Sequence, residues 1–186
     1  HMAMVGEHRA ANACAAAAVA LHFGMPPSRI AVLLDAAVPR SRWRMEVSTT
    51  SSGVTVLNDA YNANPESMRA ALRSLAAMRG AGRTIAVLGE MLELGDESIA
   101  EHDGVGRLAV RLDISKTIAV GRGARPLFLG AAQEGSWNEE AVFVEDVDAA
   151  IELLRGLVQP GDVVLVKASR SIGLEAVAHA LLEGTP

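Results

Sequence analysis

The chain has 186 residues, enough for one sizeable domain and a segment of another, and half of them are hydrophobic while only 3% are aromatic, so its core must be aliphatic. A formal net charge of −5 argues against a broad nucleic-acid-binding surface, which needs clustered cations. No stretch reaches the roughly 18 consecutive apolar residues of a membrane span, and the single cysteine, Cys14, cannot form an internal disulfide, which predicts a reducing, cytoplasmic location.

The first forty residues predict two short helices. One covers His8–Phe23, and the other covers Arg29–Ala37 with Ser28 as its N-cap. Two such helices bury little apolar surface by themselves, so residues 3–40 are expected to be the helical tail of a larger domain. Residues 1–2 resemble the scar of a cleaved affinity tag.

From residue 44 onward the sequence predicts alternating strands and helices. Short apolar runs indicate buried strands, and longer segments with apolar residues three or four apart indicate helices. The predicted strands are Met45–Thr49, Val54–Leu57, Thr84–Leu88, Thr117–Val120, Val142–Val144 and Val163–Val166. The predicted helices are Pro65–Met78, Ser98–Leu112, Ala124–Ala132, Val147–Leu157 and Ser171–Leu182. This order is typical of an α/β fold with a mostly parallel sheet and helices on both faces, whose ligands bind at the carboxyl ends of the strands.

A polar loop follows the second predicted strand. Asn64 is a suitable helix N-cap, and Pro65 occupies the first helical position, where its missing N–H costs nothing. The start of a helix requires neither Asp59, Tyr61 nor Asn62. These three side chains therefore indicate a functional site.

A second loop, Gly89–Asp96, follows the third predicted strand. The apolar Met91, Leu92 and Leu94 indicate that this loop is folded and not solvated. Taken alone, the segment is equally consistent with a packed loop that carries solvated carboxylates.

A third segment joins the last strand to the last helix. Lys167, Ser169, Arg170 and Ser171 place two cations and two hydroxyls at the predicted start of that helix. Free backbone N–H groups and the positive end of the helix dipole would make an anion site there. A serine that merely caps the helix is the alternative, but it does not explain the two cations.

His8 and Asn12 lie four residues apart at the start of the first predicted helix and so share one helix face. Both can hydrogen-bond the edge of a nucleobase. Without other information, the exposed start of a helix is the better explanation.

Motifs that bind phosphate or metal directly are missing from the sequence. It contains neither a G-x-x-x-x-G-K-[ST] phosphate loop nor a zinc-binding spacing of Cys and His. We therefore expect no catalytic residue and no metal ligand in this chain, and no activation of ATP by the chain alone.

Five segments together resemble the Mur ligase family, in particular the ligases that add D-alanyl-D-alanine. Asp59–Met68 resembles their D-x-Y-N-A-N-P-x-S-M signature, Leu88–Gly95 is similar to L-G-[DE]-M-x-E-L-G, and Val164–Ser171 is similar to V-L-V-K-G-S-R-S. Gly6–Asn12 resembles a G-x-H-N-x-x-N segment, and Arg44-Met45-Glu46 resembles an R-M-E segment. The segments keep the family's order over residues 6–175.

The resemblance implies a three-domain bacterial enzyme of the cytoplasm. Its domains are an N-terminal domain that binds the UDP-sugar, a central P-loop ATPase and a Rossmann-like C-terminal domain. Residues 3–40 would then be the tail of the central domain, and residues 44–186 would be the C-terminal domain. The implied reaction uses ATP and Mg²⁺ to convert the carboxylate of UDP-N-acetylmuramoyl-tripeptide into an acyl phosphate, which D-alanyl-D-alanine attacks. Without the N-terminal and central domains, the chain is expected to be inactive.

The resemblance also implies roles for individual residues. The expected nucleotide-binding residues are His8, Asn12, Arg44 and Asp59. The expected substrate-binding residues are Tyr61, Asn62, Asn64, Gly89, Glu90, Met91, Leu94, Lys167, Ser169 and Arg170. Two positions depart from the family pattern, because Arg9 replaces the usual Asn and Ala168 replaces the usual Gly.

Two other functions fit parts of the sequence. The chain could be a standalone α/β module that binds a nucleotide or an acidic metabolite, or a piece of another Mur or folylpolyglutamate-type ligase. The two helices before residue 40 favour part of a longer enzyme over a standalone module. The segment Tyr61–Pro65 favours the ligases that add D-alanyl-D-alanine over their relatives.

Overall fold

The structure is a computed structural model that describes residues 7–37, 42–135 and 140–184. These residues divide after Arg42 into two compact units. The first unit contains two helices, and the second contains a six-stranded sheet with five helices.

Two helices that contact each other form the described part of the first unit, α1 (Glu7–His22) and α2 (Pro27–Asp35). The prediction that Ser28 caps the second helix is wrong. The N-cap is Pro26, which has extended backbone angles, and Pro27 occupies the first helical position. Proline suits that position because its φ angle is already helical and its missing N–H would have had no partner.

The second unit is an α/β domain. Its strands are β1 (Glu46–Thr49), β2 (Thr55–Asn58), β3 (Thr84–Leu88), β4 (Lys116–Val120), β5 (Ala141–Val144) and β6 (Val163–Lys167). Its helices are α3 (Pro65–Ala77), α4 (Ser98–Arg111), α5 (Arg125–Glu134), α6 (Val147–Leu157) and α7 (Glu175–Leu182). The strand order is β1-β2-β6-β3-β4-β5, and only the edge pair β1–β2 is antiparallel.

The sheet is covered on both faces, as the apolar strands predict. Alternate strand residues such as Ile85, Val87 and Val164 form one core with helices α6 and α7. Helices α3, α4 and α5 pack against one another and against strands β3, β4, β5 and β6. Because every residue of β3 and β6 is buried, these two central strands are apolar almost throughout.

The strand order places a crevice beside β6. The chain moves from β3 through β4 to β5 in one direction along the sheet and then returns to insert β6 between β2 and β3. Connections that leave in opposite directions from neighbouring parallel strands separate at their carboxyl ends, where α/β proteins bind ligands. The loops after β2, β6 and β3 therefore meet at one edge.

The prediction that the last helix starts at Ser171 is wrong. A 3₁₀ turn covers Arg170–Ile172, Gly173 adopts a left-handed backbone with φ of 73°, and α7 begins only at Glu175. The segment Lys167–Ser171 is therefore not the N-terminus of an α-helix. The prediction that the N-terminus of an α-helix forms an anion site at this segment is therefore wrong.

Candidate functional site

A cleft of about 710 Å³ opens between the loops that follow β2, β3 and β6. The residues lining it are Asn62, Ala63, Asn64, Leu92, Glu93, Leu94, Ser169, Arg170 and Ser171. The cleft is thus lined by one guanidinium, one carboxylate and several neutral amides and hydroxyls. Its volume lies within the roughly 300–1,000 Å³ of small-molecule sites.

A buried ion pair lies beneath the loop after β2. Lys167 ends β6, and its Nζ donates to Oδ2 of Asp59 at 2.6 Å and to the carbonyl oxygen of Asn62 at 2.8 Å. The lysine side chain is only 3% exposed. Burial lowers the pKa of Lys167, the charge and hydrogen bond of Asp59 oppose this shift, and the charge of Arg44 adds to it. The pair holds the loop after β2 against the end of β6.

Asp59 has a second contact within the chain. Its Oδ1 accepts a hydrogen bond from the backbone N–H of Met45 at 2.8 Å. Met45 has a left-handed backbone with φ of 50°, which is unfavourable for a residue with a side chain. Both oxygens of Asp59 therefore anchor elements of the domain, one the segment before β1 and the other the end of β6.

A stack of aromatic rings and guanidinium groups lies next to the cleft. The Cζ of Arg170 lies 4.8 Å from the ring centre of Trp43 and 5.4 Å from that of Tyr61. The Cζ of Arg44 lies 4.2 Å from the centre of the same tyrosine ring. Tyr61 is itself positioned by its backbone N–H, which donates to the Trp43 carbonyl at 3.1 Å. The aromatic faces thus hold two cations by attraction to their π-systems.

The loop after β3 is fastened to the loop after β6. The N–H of Leu92 donates to Oγ of Ser169 at 2.9 Å, and the N–H of Ser169 donates to the carbonyl of Glu90 at 3.0 Å. A Cβ atom on Gly89 would lie 2.7 Å from the Cβ of Ala168, so a glycine is required at position 89. Alanine at position 168 is accommodated because Gly89 has no side chain.

The structure brings only some of the predicted substrate-binding residues into the cleft. The residues that line it are Asn62, Asn64, Leu94, Ser169 and Arg170. Lys167, Gly89 and Met91 are buried and do not line the cleft. The carboxylate of Glu90 lies against Gly123, where an added Cβ would be 2.0 Å from its Cδ. Tyr61 lies in the adjacent stack.

The four predicted nucleotide-binding residues fall in both units. Arg44 and Asp59 belong to the second unit, and Asn12 is exposed on α1 in the first. The side chain of His8 lies outside the described part of the structure.

Two functional candidates were missed at the level of sequence. Glu93 lines the cleft and is a non-glycine residue with a left-handed backbone, φ 65°. His102 is fully buried in α4, and its Nε2 accepts the N–H of Met91 at 2.9 Å. A histidine eleven residues after Met91 offered no recognisable spacing, whereas Glu93 could have been selected as a charged residue between the apolar Leu92 and Leu94.

Neither a metal cluster nor a membrane helix is found in the described ranges. Within residues 7–37, 42–135 and 140–184, no three side chains of His, Cys, Asp or Glu come together as a metal site. The helices of the same ranges are too short or too polar to cross a membrane.

Known proteins share both the sequence and the fold. A family model described as "Mur ligase, glutamate ligase domain" matches residues 43–170. A UDP-N-acetylmuramoyl-tripeptide–D-alanyl-D-alanine ligase of Mycobacterium leprae (strain TN) is 50% identical over 97% of this chain and 38% of its own length. The chain therefore spans well under half of that relative.

Two solved structures extend the comparison. The crystal structure of MurF from Acinetobacter baumannii has a TM-score of 0.85 and 31% identity, covering 98% of this chain and 39% of that one. MurF ligase from Thermotoga maritima, in complex with ADP, has a TM-score of 0.72 and 24% identity, covering 89% of this chain and 36% of that one. The second likeness demonstrates a shared fold.

Proposed function

The chain belongs to the Mur ligase family, and we propose that it is the C-terminal part of an ATP-dependent ligase that adds D-alanyl-D-alanine to UDP-N-acetylmuramoyl-tripeptide. In this proposal residues 3–40 end a central ATPase domain and residues 44–186 form the C-terminal domain. A longer protein supplies the N-terminal and central domains. The reaction belongs to peptidoglycan precursor synthesis in the bacterial cytoplasm.

One observation carries the proposal, the presence of one cation and one anion in the same cleft. Arg170 and Glu93 line it together, and its other polar lining residues are neutral. Free D-alanyl-D-alanine is a zwitterion with a carboxylate at one end and an ammonium at the other. A cleft with one charge of each sign can therefore recognise both ends.

Arg170 is assigned to the dipeptide carboxylate. A guanidinium can grip a carboxylate through two parallel hydrogen bonds, and the stack on Trp43 and Tyr61 restrains its orientation. Glu93 is assigned to the ammonium, because it is the carboxylate that lines the cleft together with Arg170. Lys167 and Asp59 support the floor of the cleft through their mutual contact.

The nucleotide is assigned to the side of the domain that carries Arg44. We assign Arg44 to the adenine and Asp59 to the ribose, which the ligase resemblance supports, and the roles of His8 and Asn12 stay predictions. ATP, when bound, supplies the phosphoryl group that activates the tripeptide carboxylate. We assign Mg²⁺ to the longer protein, where it would accompany the phosphates of ATP.

A titration of this chain with three dipeptides tests the cleft assignment. D-Alanyl-D-alanine should shift the backbone NMR signals of Glu93 and Arg170. The C-terminal amide and the N-acetyl derivative of the dipeptide each lack one charge. At the same concentration, each should cause smaller shifts than D-alanyl-D-alanine. Equal binding of all three peptides would contradict the zwitterion site. L-Alanyl-L-alanine serves as the control for stereochemistry.

A further inference from the structure

His102 is buried inside the domain with both ring nitrogens engaged. It lies on α4 and is 0% exposed. Its Nδ1 lies 2.7 Å from the carbonyl oxygen of Ser98, and its Nε2 lies 2.9 Å from the backbone nitrogen of Met91. A carbonyl can only accept and a backbone N–H can only donate, so Nδ1 carries the proton and Nε2 carries the lone pair. These partners select a neutral ring in a single tautomer.

The bond to Met91 is one of two bonds by which side chains hold backbone N–H groups of the loop after β3. His102 holds the N–H of Met91 from the side of α4, while Oγ of Ser169 holds the N–H of Leu92 from the side of β6. The side chain of Met91 is itself buried, at 1% exposure. Two consecutive amides are therefore held by side chains from two different segments, α4 and the loop after β6.

The fixed segment leads directly into the wall of the cleft. Leu92, Glu93 and Leu94 follow Met91 and line the cleft. Glu93 has a left-handed backbone, a conformation that residues other than glycine and asparagine seldom adopt. Such a conformation persists where the surrounding structure imposes it. The anchors at Met91 and Leu92 hold the two residues that come directly before it.

We propose that His102 is a positioning residue for the dipeptide site. It acts through the Met91 amide, which keeps Glu93 at the rim of the cleft, and it does not touch the substrate itself. The inference rests on the proposed function, because it assigns the loop after β3 to the dipeptide.

A matched pair of variants separates this role from simple packing. In His102→Gln the amide oxygen can occupy the place of Nε2 and accept the Met91 N–H. In His102→Asn the shorter amide reaches only the place of Nδ1, where it can still donate to Ser98 but cannot reach Met91. The exposed His22 on α1, changed to Asn, controls for the loss of an imidazole elsewhere.

Amide hydrogen exchange of this chain provides the first readout. His102→Asn should speed exchange at Met91 on the order of tenfold, which is the loss expected for one intramolecular hydrogen bond, and His102→Gln should remain close to the original chain. Ser169→Ala should speed exchange at Leu92 with a much smaller effect at Met91. The original chain should show the ring ¹⁵N pattern of the Nδ1–H tautomer. Unchanged Met91 exchange in His102→Asn, or equal damage from Gln and Asn, would overturn the inference.

Steady-state kinetics of the longer ligase provide the second readout. His102→Asn should raise the KM for D-alanyl-D-alanine on the order of tenfold and leave the KM for ATP nearly unchanged, with His102→Gln restoring the dipeptide KM. An equal rise in both KM values would overturn the link to the dipeptide site. If the unmutated longer enzyme does not join D-alanyl-D-alanine to the tripeptide, the proposed function is wrong. The role of His102 fails separately, when the exchange rate at Met91 is unchanged in His102→Asn.

Discussion

Lys167 and Asp59 lie 108 positions apart in the sequence, yet the Nζ of the lysine donates to Oδ2 of the aspartate at 2.6 Å. Their side chains are 3% and 14% exposed. A buried charge without its partner is far less stable than the intact pair. The effect of each residue on the stability of the fold therefore depends on the presence of the other.

Lys167→Met should lower the free energy of unfolding by about 3–5 kcal/mol, because it leaves Asp59 without its counter-charge. Asp59→Asn should also destabilise the chain, since it leaves Lys167 charged and buried. The double variant should lose less than the sum of the two single changes, by about 1 kcal/mol or more. Urea unfolding of the four chains measures this coupling. Strict additivity would contradict the paired role.

Asp162 should make the stability of the domain fall in acid. Burial raises the pKa of its carboxyl, but hydrogen bonds from the Arg83 side chain and from the backbone N–H groups of Arg83 and Gln159 outweigh this and hold the pKa below its ordinary value. A depressed pKa in the folded state means that the unfolded chain binds a proton first. The stabilisation is therefore complete above the unfolded pKa and is lost as the pH falls through the folded one.

Asp162→Asn tests this pH dependence. Its free energy of unfolding should change less than that of the original chain between about pH 5 and about pH 2, because no proton is taken up at this position. Asp148→Asn, on the exposed first turn of α6, is the matched control and should leave the acid slope nearly unchanged. Parallel pH profiles for the original chain and Asp162→Asn would refute the assignment.

Two glycines should govern the close approach of α4 and α5. A Cβ on Gly106 would lie 1.9 Å from the carbonyl oxygen of Leu127, and one on Gly130 would lie 2.3 Å from that of Asp103. Gly106→Ala and Gly130→Ala should each cost about 1–3 kcal/mol through forced backbone shifts. Gly104→Ala, on the same helix as Gly106 but with nothing within 4 Å, should instead stabilise the chain by about 0.5–1 kcal/mol. Thermal unfolding measures these changes. A Tm that shifts in the same direction in all three variants would contradict the predicted close packing.

Arg170→Ala in the longer ligase should selectively weaken the binding of the dipeptide. Loss of a charge-assisted pair of about 2–4 kcal/mol corresponds to a rise of roughly 30- to 1000-fold in the KM for D-alanyl-D-alanine. The KM for ATP should change much less, and Arg155→Ala, an exposed arginine on α6, should change neither. A defect in domain closure would weaken all substrates together. An equal or larger effect on ATP would therefore exclude the carboxylate assignment.

Local patterns in the sequence determined the elements of this fold. The apolar run Thr84–Leu88 is β3, and the spacing in Val147–Leu157 is α6, with the same bounds in sequence and structure. Asn64 caps α3 as predicted, because its Oδ1 accepts the N–H of Ser67 only three residues away. Strand burial, helix periodicity and capping depend on neighbours within a few residues. The order of the elements was therefore readable before any contact was known.

The tertiary structure decided what the polar residues do. The sequence predicts that Lys167 forms part of an anion site, but its partner Asp59 lies in a distant loop and the lysine is buried. Ser171 is a residue type that often starts a helix, yet Gly173 has a left-handed backbone and α7 begins after it. His102 gave no signal because its contact with Met91 exists only once α4 has packed beside the loop after β3. Sequence spacing carries information about neighbours along the chain, whereas these roles depend on contacts that form only when distant segments pack together.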